Sequence, residues 1–119
     1  MDDPVPAPLR AFLLENIDSV AQLEALLLLL RRAGKPLPTT TVAAALYVPE
    51  VIASAELATL QARGLISAGS DGWRYLANPM VDLLAEAYAR ALIPVTNIVH
   101  GNPLRLRRFA DAFKFRKDK

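Results

Sequence analysis

The chain has no cysteine and a single histidine, His100. The first absence excludes disulfides, thiolate metal sites and cysteine nucleophiles. The second leaves a transition-metal cluster short of its commonest ligand. Five glycines, Gly34, Gly64, Gly69, Gly72 and Gly101, are scattered and form no glycine-rich phosphate loop. Ser54, Ser67 and Ser70 have no histidine near them in sequence, so no nucleophile and base stand out. The longest unbroken apolar run, Ala25 to Leu30, falls far short of the ~20 residues that span a bilayer. The opening stretch, MDDPVPAPLR, lacks the basic start and apolar core of a secretion signal. These absences argue against an enzyme, a cofactor or metal protein and a membrane protein. They predict a cytoplasmic, non-enzymatic chain.

What is present suits one folded core. Of 119 residues, 53% are hydrophobic and 22% charged, a globular composition. The net charge of +2 implies no polyanion partner by itself, but the charge is uneven. Residues 1–78 sum to −2 and residues 79–119 to +4. Such asymmetry marks an interaction segment. The division predicts a domain over 1–78 with a leading helix, followed by C-terminal helices over 79–119.

Met1 to Pro8 reads as a frayed terminus. Leu9, Phe12, Leu13 and Ile17 make a short helical stripe. Ser19 with Gln22 is a capping-box pattern. It opens a helix that is apolar nearly all round, through Val20, Leu23, Leu26 to Leu30, and so predicts burial on several sides. Gly34, Pro36 and Pro38 break the chain. Thr39 to Thr41 are then placed to cap a short helix with Val42, Ala45 and Leu46 on its apolar face. Val48-Pro49 is a turn. The helix from Pro49 carries Ala53, Leu57 and Leu60 on one stripe and stops at Gly64. LISA and WRYLA flank GSDG, a hairpin signal. Asn78-Pro79 is an N-cap with proline at N1. Pro94 should kink or split the helix that follows. His100, Gly101 and Pro103 form a stop. In LRLRRFADAFKFRKDK, Leu106, Phe109, Ala110 and Phe113 recur at helical spacing and Arg105, Arg107, Arg108, Lys114 and Arg116 lie elsewhere, a basic amphipathic helix.

The stretch over residues 19–77 resembles the winged-helix proteins of bacterial transcription regulation. The resemblance rests on the spacing of Ala53, Leu57, Leu60, Gly64 and Leu65 and on the aromatic returning strand at Trp73 and Tyr75. It implies a mainly α fold, a three-helix winged helix-turn-helix core with a β-hairpin wing and a C-terminal helical extension. It also implies DNA as a partner, with the second helix of the unit in the major groove, and a homodimer paired through the helices of residues 79–100.

The expected contact residues are Ser54, Thr59 and Arg63 on that helix, Arg74 on the wing, and Arg105, Arg107, Arg108, Lys114, Arg116 and Lys117 in the tail. The helix departs from the family pattern. No Arg, Lys, Asn or Gln precedes Gln61 on it, and Asp71 stands at the wing tip. Bidentate base reading needs such side chains. The alternative expectation is therefore a winged helix used for protein contact, an adaptor or anti-regulator whose basic C-terminal helix docks a partner.

Overall fold

Ser19 starts the central helix as the sequence predicts. Its Oγ accepts a hydrogen bond from Gln22 N at 3.1 Å. The return bond of the capping box is displaced by one residue, because Gln22 Oε1 accepts from Asp18 N at 3.0 Å. The computed structural model describes residues 4–104. In order these form α1 (Ala7–Asn16), α2 (Val20–Arg31), α3 (Thr39–Leu46), α4 (Glu50–Ala62), β1 (Ile66–Gly69), β2 (Gly72–Tyr75), α5 (Pro79–Arg90) and α6 (Leu92–His100). The architecture is mainly helical with one small antiparallel hairpin. No single helix among the described residues is long and apolar enough to cross a membrane.

The core forms around α2. Leu23, Ala25, Leu26, Leu27 and Leu29 are buried, and α2 packs on α3, α4, α6 and β2. Its all-round apolar surface is thus covered from within the chain. Val5 is fully buried, so the part of the N-terminus next to α1 is packed rather than frayed. Leu9 and Leu13 of α1 and Ile17 at its end complete that side.

Helix α4 ends in the predicted way. Gly64 has φ +77, Leu65 N donates to Leu60 O at 3.1 Å and Gly64 N to Gln61 O at 2.9 Å. Both bonds of a Schellman motif are present. Asn78 Oδ1 accepts from Met80 N at 2.9 Å and caps α5. Pro94 sits in the first turn of α6, and the break falls at Ala91 between the two helices. Proline cannot donate to the carbonyl four residues back and clashes with it, so a continuous helix through Arg90 is excluded.

Two expectations need correction at α3. The threonines do not cap it. Pro38 is the N-cap, without a side-chain bond, and Thr39 already lies in the helix. Thr39 Oγ1 instead accepts from Trp73 Nε1 at 2.9 Å. The buried face is Val42 and Ala43, while Ala45 is exposed. The helix starts three residues earlier than Val42.

The hairpin pairs Ile66 with Tyr75 and Gly69 with Gly72. A third segment joins it. Leu37 N donates to Trp73 O at 3.0 Å, and Trp73 N donates to Leu37 O at 2.8 Å. Gly72 has φ +135, and a Cβ there would lie 2.6 Å from the Leu37 backbone. Only glycine permits that approach.

Tyr88 ties α5 to α2 by donating from its hydroxyl to Glu24 Oε2 at 2.8 Å. Burial first, and then the bond and charge of Glu24, push its pKa up to about 12. A raised folded-state pKa means stability is fully present below the unfolded value of ~10 and is lost as pH rises through the folded value. The protein should therefore lose stability between about pH 10 and 12. Urea midpoints across that range should fall less steeply for Tyr88→Phe than for the wild type. Parallel curves would remove Tyr88 as the cause.

Candidate functional site

Helices α3 and α4 meet at 110°, joined by Tyr47, Val48 and Pro49. Tyr47 makes this corner. It adopts φ 58, ψ 42, the left-handed conformation that usually falls to glycine. Tyr47 N donates to Ala44 O at 3.3 Å and Val48 N to Ala43 O at 3.1 Å, so the end of α3 is a Schellman motif built on tyrosine. Pro49 then starts α4 from extended backbone. Tyr47 is 96% exposed. A bulky side chain in strained backbone, turned fully to solvent, is unusual enough to suggest a function.

The first turn of α4 adds to it. Val51 is 73% exposed and Ile52 44%. The buried stripe of α4 is Ala53, Glu56, Leu57 and Leu60. Glu50, Val51, Ser54, Ala55, Ala58 and Gln61 are exposed. The outward surface at the start of the helix is therefore apolar or neutral, with Glu50 its one charge.

The structure places the sequence-predicted contact residues differently from one another. Ser54 is exposed on the outward surface. Thr59 is half-buried, and its hydroxyl donates to Ala55 O at 3.1 Å within the helix. Arg74 is exposed and pairs with Asp71 at 3.2 Å, a surface pair of small energetic weight. Arg63 is engaged inward. Its Nη2 lies 3.1 Å from Asp18 Oδ2, and Nη1 donates to Gln22 Oε1 at 3.1 Å and to Asn16 O. The remaining residues, Arg105, Arg107, Arg108, Lys114, Arg116 and Lys117, lie outside the described residues.

Arg63 belongs to a buried polar cluster that the sequence did not reveal. Asp18 and Gln22 are fully buried and Glu56 nearly so. Gln22 Nε2 donates to Asp18 Oδ1 at 2.6 Å and to Glu56 Oε1 at 3.0 Å. Ser19 Oγ donates to Glu56 Oε2 at 2.8 Å. Among the described residues, no buried side-chain polar atom lacks a partner. The cluster fixes α4 on the start of α2 and leaves its other face outward. Glu56 and Arg63 lie 34 to 45 residues from Asp18, Ser19 and Gln22 in sequence, so no local spacing announces their meeting.

A second apolar surface lies at the break between α5 and α6, where Leu83, Leu92 and Ile93 are 49%, 50% and 65% exposed. His100 is exposed in the last turn of α6. A cleft of about 390 Å³ opens under the hairpin between Pro38, Thr39, Asp71 and Trp73. No three His, Cys, Asp or Glu side chains among the described residues come together as metal ligands would. Comparison with protein families, with curated proteins and with solved structures finds no match.

Proposed function

We propose that this chain is a cytoplasmic winged helix-turn-helix protein of transcription regulation that acts by binding, and that its α3–α4 corner seats a protein partner. In this reading it is an adaptor or anti-regulator. The observation that carries it is the exposed set Tyr47, Val51 and Ile52 at the corner. Aromatic and aliphatic side chains of this kind anchor protein interfaces. Arg63, the cation nearest that helix's outward surface in sequence, is bonded to Asp18, which lowers the attraction of α4 for phosphate. The exposed Leu83, Leu92 and Ile93 support pairing of two copies through α5 and α6.

A second reading, a DNA-binding homodimer, is favoured by the seven Lys and Arg between Arg105 and Lys119. Phosphate contact would then come from the tail, and affinity would fall on every duplex alike as salt rises.

Photo-crosslinking separates the two. A benzoyl-phenylalanine in place of Val51 should give, in irradiated cells, a discrete adduct that resists nuclease and disappears with protease. The same group in place of Glu15, exposed on α1, should not give that adduct. An adduct at position 51 that nuclease shortens would sink the protein-partner reading and establish α4 as a DNA contact.

A further inference from the structure

We propose that the end of α2 and the turn after it form a contact site for the phosphate backbone of nucleic acid, through Arg31, Arg32 and Lys35. All three are exposed. None makes an ion pair or a side-chain hydrogen bond among the described residues. From Ala25 to Pro49 the chain has no Asp or Glu, so no acid in this stretch offsets them.

The backbone gathers these cations. Arg31 is the last residue of α2 and Arg32 its C-cap. Ala33 has φ 53 and Gly34 φ 88, and Lys35 N donates to Arg32 O at 3.1 Å. Two successive positive φ values inside such a bond mark a type I′ turn, whose end residues lie within ~7 Å at Cα. Arg32 and Lys35 are therefore neighbours, with Arg31 beside them. Glycine takes its left-handed position freely, whereas Ala33 takes it against preference. Backbone strain of this kind collects at ligand sites. The hairpin continues the surface. The antiparallel bridge of Leu37 with Trp73 brings Arg74 to the level of Pro36, next to Lys35. Arg74 is exposed and paired with Asp71, a surface pair weak enough to yield to phosphate.

The helix dipole accounts for Arg31 and Arg32 but not for Lys35, because it acts within the last turn and Lys35 lies beyond it. A phosphate backbone fits the site better than an acidic protein segment does. From Arg31 to Pro36 there is no large apolar side chain, and protein interfaces are anchored by such side chains. Phosphate contact needs only the cations, and the two guanidinium groups add bidentate bonds to phosphate oxygens. The site stands apart from the α3–α4 corner. Thr39 opens α3 beside Trp73, and Tyr47 closes it about 12 Å further on. The inference therefore goes beyond the reading above and holds whether or not a protein seats at the corner.

Titration of a labelled DNA duplex at several salt concentrations tests it on the full chain. Lys35→Gln should lower the slope of log affinity against log salt by about 0.9, the value for one phosphate contact. Arg31→Gln, Arg32→Gln and Lys35→Gln together should lower it by about 2.7 and weaken binding at low salt at least ~10-fold. Arg90→Gln is the control. Arg90 is also exposed in the last turn of a helix, so its loss repeats the change in charge and dipole and should leave the slope unchanged. The cations of residues 105–119 are present in every variant and cancel in the comparison. Lys35 lies outside the helices, so its single variant reads the site even where the triple variant fails to fold. Equal slopes for Lys35→Gln and Arg90→Gln, or no binding by the wild type at low salt, would overturn the proposal. So would displacement of the duplex by poly-glutamate as readily as by unlabelled duplex of equal charge, which would assign the surface to acidic protein segments.

Discussion

Replacing Leu57 by alanine should lower the free energy of unfolding by ~2–5 kcal/mol, as for other fully buried leucines. Leu57 and Leu60 are both wholly inaccessible, on the face of α4 that packs against α2 and α3. The lost side chain leaves a cavity between helices that are held from several sides. α4 is fixed at one end by the Gly64 motif and along its length by the Glu56 and Arg63 bonds. It cannot slide in to fill the space, so the cost should lie above the bare transfer energy of the deleted methylenes. Chemical denaturation of both proteins measures it. A loss below about half a kcal/mol would mean that the stripe is not the core face.

The stripe that makes this prediction was legible in the sequence because its spacing is local. The same holds for the Ser19 cap, the Gly64 stop, the hairpin, the Asn78-Pro79 start and the break forced by Pro94. Each is decided within about five residues by backbone sterics or one short hydrogen bond. What escaped is what depends on distance along the chain. Leu37 pairs with Trp73 as a single residue between prolines and shows no alternation to mark a strand. Asn102 reaches carbonyls 85 and 89 residues away. Tyr47 takes a glycine-like conformation without being glycine, and propensity predicts against that. The candidate site was half legible. Ser54 lies on an outward face as its spacing implies, while Arg63 has the spacing of a contact residue and is held by Asp18 instead.

Asp18→Ala should cost about 3 kcal/mol, the low end of the range for breaking a buried ion pair. The low end applies because Arg63 keeps 20% of its side-chain surface in water, whereas Asp18 keeps none. The loss is not confined to the pair. Asp18 also accepts from Gln22 Nε2, and without it that buried donor keeps only Glu56 Oε1. Deleting Arg63 instead removes a cation that is partly solvated and takes the 3.1 Å ion pair from the buried Asp18. A double-mutant cycle of Asp18→Ala and Arg63→Ala isolates what the two side chains contribute together. We expect them to be coupled by ~1–3 kcal/mol, as for contacting residues in one network. Additivity within about half a kcal/mol would show that the pair does not hold α4 in place. The same variant bears on function. Asp18→Ala removes the carboxylate that neutralises Arg63 at the end of α4, while its bonds to Gln22 and Asn16 O remain. If that helix faces DNA, the guanidinium without its counter-charge should tighten binding to every duplex and steepen its salt dependence by up to about one phosphate contact. If the corner seats a protein, duplex binding should not change, and only stability should fall.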